Sequence, residues 1–197
     1  MKLFFMPGAC SLATHILLQE TGTAYELEKM DKSDRSNVLK YNPQGLVPTL
    51  VLDNGNVLTE VAITLQYISD LKPEANLMPK AGTWERYQCL DWLNYVATEI
   101  HKGIGILFRP GFDEHAKKMF IQGMEPKLNR LNHHFSNNEY LMGKNFTAPD
   151  AYAFVTLSWS KHVGIDLSQY PHVASFLVRV GLRPSVKASQ TAERTTT

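Results

Sequence analysis

Cys10 stands in the run Met6-Pro7-Gly8-Ala9-Cys10-Ser11-Leu12. It follows a short apolar strand, Lys2–Met6, and opens a helix through Leu12, His15, Ile16 and Gln19. Backbone N–H groups in the first turn of a helix lack intrahelical acceptors, and that end carries partial positive charge. A thiol placed there is favoured as its thiolate, which points to sulfur chemistry. The competing reading is a small buried hydrophobe. A lipoprotein leader is excluded on length. The apolar run Leu3–Met6 falls far short of the ~7–15 residues a secretory core needs, and Pro7-Gly8 breaks it.

Three further places carry chemistry-bearing residues. Val47-Pro48, in Gln44-Gly45-Leu46-Val47-Pro48, is a candidate cis peptide, because proline lowers the cost of cis to ~0.5–1 kcal/mol. Glu60 follows Thr59 at a helix start. There a carboxylate either complements the helix dipole, worth ~0.3–1 kcal/mol, or takes a ligand's ammonium group. Thr98-Glu99-Ile100-His101-Lys102-Gly103 lies on a long helix, where His101 is either a structural residue or a catalyst. His15, one turn beyond Cys10, either lines the thiol site or packs. His133-His134 on a polar helix face reads as solvated surface. The histidines show no metal-ligand arrangement with cysteine or carboxylate, so no metal is expected.

The bulk properties narrow the classes. The chain of 197 residues is 44% hydrophobic and 20% charged, and carries a net charge of +1. It reads as an ordinary globular protein with no electrostatic reason to bind nucleic acid or an anionic membrane. No run of ~18 apolar residues predicts a membrane span. Two cysteines, Cys10 and Cys89, make no disulfide framework and suit a reducing compartment, hence the cytoplasm.

The elements that must position these residues follow from the pattern. A strand at 2–6, a helix at about 11–21 closed by Gly22, and an alternating strand at 25–30 make a βαβ unit. Residues 32–41 are polar and irregular or briefly helical. Leu50-Val51-Leu52-Asp53-Asn54-Gly55-Asn56-Val57-Leu58 predicts a hairpin, with Asn-Gly in a type I′ turn. Thr59 is read as the N-cap of the next helix, through Ile63, Tyr67 and Leu71. The order βαβ then ββα predicts a small thioredoxin-like sheet over residues 1–78. Residues 72–79 form a linker. From 84 to 197 the chain reads as an all-helical bundle, with helices over 84–107, 120–135, from Thr147 onward and over 170–180. Thr147 and Asp150 are placed as a capping box. The polar tail from Thr191 is expected to fray.

In this order and spacing, the Cys10 turn, Gln44–Pro48, Thr59-Glu60, Thr98–Gly103 and Thr147-Ala148-Pro149-Asp150 resemble bacterial glutathione S-transferases of the beta class. The resemblance covers nearly the whole chain. It implies an α+β two-domain fold and attack of the glutathione thiolate on hydrophobic electrophiles, with glutathione as co-substrate and no metal. It implies a homodimer with small-molecule partners. Cys10, Ser11 and His101 would stabilise the sulfur. Val47 and Pro48 would pair with the cysteinyl backbone. Glu60, Val61, Lys102 and, across the dimer, Glu99 would hold the rest of glutathione. Ile104, Leu107, Phe108 and Trp159 would wall an electrophile pocket between the domains. The family usually carries Ser or Gly directly after the glutamate; Val61 stands there, which predicts weaker glutathione affinity. The tyrosine some classes use in the first strand is replaced by Phe4 and Phe5. Two rival functions remain on these residues. One is a glutathione-linked thiol–disulfide oxidoreductase through Cys10, monothiol because no C-x-x-C is present. The other is a non-catalytic carrier of hydrophobic ligands.

Overall fold

The computed structural model describes residues 1–196. They fall into two compact units, Met1–Met78 with the segment from Leu182 onward, and Pro79–Gly181.

The first unit contains β1 (Lys2–Phe5), α1 (Ser11–Thr21), β2 (Glu26–Lys29), α2 (Ser36–Leu39), β3 (Thr49–Val51), β4 (Val57–Thr59) and α3 (Val61–Leu71). The sheet order is β2-β1-β3-β4, with β1–β2 parallel and both other pairs antiparallel. This is the predicted thioredoxin-like arrangement. The parallel pair follows from the α1 crossover, which two strands need in order to run the same way. α1 ends at Gly22, whose φ of +61° is open to glycine without penalty.

α1 is buried from Ser11 to Leu18 without a break. A helix that is buried all round cannot show a clean apolar stripe. One flank packs on α3, where the Thr14 and Thr64 hydroxyls pair at 2.8 Å. Another packs on α10 (Pro184–Thr195). That last helix corrects two expectations. The tail from Thr191 to Thr195 is helical rather than frayed, and the last helix belongs with the first unit rather than with an 84–197 bundle. Thr197, the end of the predicted tail, lies outside the described residues. The tail's polarity was misleading because its inward positions are filled by Ser189 and Glu193, both buried.

Two local expectations also change. Leu52 N–H donates to the Asn56 carbonyl and Gly55 N–H to the Leu52 carbonyl, while Gly55 alone in the turn has positive φ, +85°. The hairpin therefore closes through three residues with glycine at the bulge, not through a type I′ turn. Thr59 ends β4, and Glu60 takes the N-cap position of α3.

In the second unit α4 (Trp84–Tyr95) runs directly into a π-helical stretch, Val96–His101, and then α5 (Lys102–Gly105). The π turn inserts an extra residue, so the buried positions become Leu93, Val96, Ile100 and Ile104, and Ala97 is only half-buried. Gly103 lets the helix approach α6 (Glu114–Asn137) closely: a Cβ there would meet the Met124 sulfur, and that side chain would have to shift. α6 begins six residues earlier than predicted, because Asp113 caps it by accepting the Ala116 N–H at 2.7 Å. His134, expected in solvent, packs on Trp92 with ring centroids 4.6 Å apart. α7 (Ala148–Ser158) is buried through Leu157 and is followed by α8 (Ser160–Val163) and α9 (Pro171–Gly181). Among the described residues no helix is long and apolar enough to cross a membrane.

The predicted capping box is present and extended. The buried Asp150 carboxylate accepts the Thr147 N–H at 2.8 Å, the Thr147 hydroxyl at 2.7 Å and the Leu141 N–H at 2.8 Å. Removing it strands two buried N–H donors, each costing about 1–3 kcal/mol. Asp150→Ala should therefore lower the unfolding free energy by about 3 kcal/mol or more, against about 1 kcal/mol for Thr147→Ala. Urea denaturation midpoints of the two variants measure this directly.

Candidate active site

The sheet register gathers three of the predicted motifs at one end. Phe4 pairs with Thr49, and Thr49 with Thr59. The next residues along, Phe5, Pro48 and Glu60, therefore flank one another at the end of β1 from which the chain turns toward Cys10. The Val47–Pro48 bond is cis, as the sequence predicts.

Cys10 occupies the N-cap position of α1 and is half-buried. Its Sγ donates to the Val47 carbonyl at 3.4 Å, joining motifs 37 residues apart. The helix-initiating bonds run from Leu12 N–H to Ala9 and from Ala13 N–H to Cys10. They leave the Ser11 N–H unspent at the head of the helix. The Ser11 side chain is another matter. Its hydroxyl is fully buried, accepts the Met6 N–H at 3.3 Å and lies 3.5 Å from the Met6 carbonyl. Ser11 thus braces the β1–α1 turn through its hydroxyl.

Glu60 is exposed, with φ +63° and ψ 123°. A non-glycine residue held there costs about 1–3 kcal/mol, and such strain concentrates at ligand sites. Beyond it the first α3 bonds run from Ile63 and Thr64 N–H to the Glu60 carbonyl. The Val61 and Ala62 N–H groups remain for an anion. The Val61 side chain is buried and supplies no polar group.

In the helical unit, His101 lies at the end of the π-helical stretch. Nδ1 pairs with the Tyr152 hydroxyl at 2.5 Å, and the ring meets Trp159 edge-on with centroids 5.1 Å apart. The Glu99 carboxylate pairs with Lys127 at 2.9 Å, and Lys102 is exposed. Of the four predicted wall residues, Phe108 is exposed and meets Trp159 edge-on, and Leu107 and Trp159 are half-buried. Ile104 is wholly buried and belongs to the core, which corrects its assignment to the wall. Sequence reasoning missed Tyr152, Lys127, Tyr25 and Glu193. Tyr152, Lys127 and Glu193 make their polar contacts with residues far off in the chain, and Tyr25 with residues on the preceding helix, so no local pattern marks them. His15 packs: it is wholly buried between Glu193 and Tyr25. Cys89 is also buried, which pushes its thiol up to about 12 and leaves it inert. Among the described residues no cluster of three His, Cys, Asp or Glu side chains is set to hold a metal ion.

Burial, with the nearby Lys102 ammonium, pushes the His101 imidazole down to about 4 from 6.5. At neutral pH the ring is uncharged and acts as a hydrogen-bonding group. Between pH 6.5 and about 4 the unfolded chain binds a proton the folded chain refuses. The stability is complete above pH 6.5 and is lost as pH falls toward 4, by at most about 3 kcal/mol. Chemical denaturation across that range should show this loss in the native protein, and a smaller one in His101→Gln.

Comparison with known proteins places these features in one lineage. Residues 8–71 match the family model for the glutathione S-transferase N-terminal domain, and residues 95–184 match that for the C-terminal domain. Glutathione S-transferase GstA of Escherichia coli O157:H7 is 39% identical over 198 residues, covering 98% of both chains. The solved beta-class enzyme of Sphingomonas chungbukensis is 43% identical, with a TM-score of 0.93 over 98% of each chain. A sphingomonad glutathione S-transferase solved with glutathione is 37% identical, with a TM-score of 0.95 over the full length of both. With both domain models matched in order and this identity sustained end to end, the chain belongs to the glutathione S-transferase family.

Proposed function

We propose that this protein binds glutathione along the Val47, Glu60 and Cys10 end of its sheet and transfers the glutathionyl sulfur to hydrophobic electrophiles. One observation carries the proposal. The Cys10 sulfur lies against the Val47 carbonyl at the head of α1. A thiol-bearing peptide laid along Val47 would therefore bring its own sulfur to the helix N-terminus. Val47 N–H and C=O supply the strand-like pairing for the cysteinyl unit. The Val61 and Ala62 N–H groups take the γ-glutamyl carboxylate, and the strained Glu60 takes the ammonium.

The chemistry needs the thiolate. Glutathione's thiol titrates near that of free cysteine, ~8.5, and two units of lowering require about 2.7 kcal/mol. A helix terminus contributes ~0.3–1 kcal/mol, up to ~2 when partly buried. One or two charge-assisted hydrogen bonds at ~1.5–3 kcal/mol each complete the shift. Donors on this proposal are the Ser11 N–H and Cys10, to which the family likeness adds a neutral His101. The thiolate displaces a leaving group from the electrophile: the new S–C bond forms as the leaving group departs with its electron pair. On the family likeness, Leu107, Phe108 and Trp159 would line the apolar surface for that partner, which favours breadth over specificity. Glu99 and Lys102 complete glutathione recognition on the same family likeness. That likeness also supports a cytoplasmic homodimer.

Because several donors share the load, Cys10→Ala should retain measurable conjugation of an aryl halide. Complete loss with glutathione binding intact would sink the shared-donor mechanism. Robust reduction of glutathione mixed disulfides without conjugation would instead assign the protein to Cys10 disulfide exchange. Glu60→Gly should raise thermal stability, by up to about 1–3 kcal/mol of relieved strain, while raising the KM for glutathione several-fold. Steady-state kinetics beside a melting curve tests both halves.

A further inference from the structure

The turn that carries Cys10 is tied to the far end of the chain. The Gly8 N–H, two residues before Cys10, donates to one Glu193 carboxylate oxygen at 3.2 Å. The other Glu193 oxygen lies 3.2 Å from His15 Nδ1. His15 Nε2 is 2.8 Å from the Tyr25 hydroxyl, which also receives the Gln19 amide N–H. His15 is wholly buried and Glu193 is 2% exposed.

With a single proton on the His15 ring, these contacts run in one direction. The Gln19 N–H donates to the Tyr25 oxygen, and the Tyr25 O–H donates to His15 Nε2. The His15 Nδ1–H then donates to Glu193. A carboxylate is an acceptor only, so Glu193 is where the chain of donors must end. It receives two donors, one from the interior and one from the active-site turn.

We infer that Glu193 is a positioning residue for Cys10. It holds Gly8, and through Gly8 it sets where the sulfur sits against Val47. A purely structural tie between α1 and α10 does not account for this contact. That tie already exists at the other end of the helix pair, where Arg183 forks onto Glu20 at 2.7 and 2.9 Å and Ser185 joins it. The Glu193 oxygen that faces Gly8 leaves the helix pair and reaches the loop instead. Gly8 has φ +71°, in the left-handed region open to glycine, so the turn needs an anchor of this kind to hold one geometry. Ser11 grips the same turn at Met6 from within. The Cys10 turn is thus held locally at Met6, through the Cys10 sulfur at Val47, and by a carboxylate 185 residues away.

The inference rests on the proposed conjugating function for its kinetic arm, and an arm independent of activity is therefore included. Glu193→Leu removes the acceptor at nearly constant volume. Glu193→Gln keeps one oxygen for Gly8. Glu20→Ala breaks the α1–α10 tie without touching the turn. Hydrogen–deuterium exchange followed by mass spectrometry reads the segment 6–10, and steady-state conjugation reads kcat and KM well below the melting temperature. Glu193→Leu should speed exchange in that segment by about tenfold and lower kcat by about tenfold, with the KM for glutathione within about twofold. Glu193→Gln should stay within about threefold of the native protein in both. Glu20→Ala should lose stability alone. Unchanged exchange in Glu193→Leu would overturn the inference, as would fast exchange with native kcat. If Glu193→Leu does not fold, Glu193→Asn, one methylene short of Gly8, is expected to show the same pattern and is judged by the same outcomes. A native protein without conjugating activity would refute the proposed function, and the exchange arm would still decide whether Glu193 anchors the turn.

Discussion

The enclosure of α1 is the constraint on which the first unit depends. A helix buried through Ser11–Leu18 can leave no polar side chain to water, so each must find a partner inside. Ser11 pairs with Met6, Thr14 with Thr64, and His15 with Glu193 and Tyr25. Four separate parts of the chain are recruited to satisfy one helix. What remains open is its amino end, and that is where Cys10 stands. The same packing that silences the body of the helix presents its positive terminus.

The helical unit treats backbone irregularity in a comparable way. An unbroken α-helix from Trp84 to Gly105 would carry its buried face around by 3.6 residues per turn. The π-helical stretch at Val96–His101 delays that rotation by one residue. Val96, Ile100 and Ile104 then all point inward, and His101 comes to Tyr152 and Trp159. Burial keeps its ring neutral. A neutral imidazole presents one donor and one acceptor rather than a charge, which suits its pairing with the Tyr152 hydroxyl.

Strain and polar burial both concentrate on the site-bearing turns. Glu60 is held at positive φ where glycine would be cheaper. Gly8 is held by a buried carboxylate. Neither arrangement is favoured by local propensity, and each is maintained by the surrounding framework. The neighbouring Val61 side chain, by contrast, simply packs.

Local chemistry alone determined a good deal of this protein. Gly22 terminated α1, Thr147 and Asp150 opened α7, and the strand and helix order specified the thioredoxin-like sheet, because each depends on residues a few positions apart. The motif order at Cys10, Pro48, Glu60 and His101 was likewise legible along the chain. Tertiary structure decided the rest. The Ser11 hydroxyl was turned inward and Ile104 was taken into the core. A polar tail became a docked helix because Glu193 meets His15 across 178 residues. A carboxylate's surroundings are set by whatever packs against it, and no window of sequence contains that information.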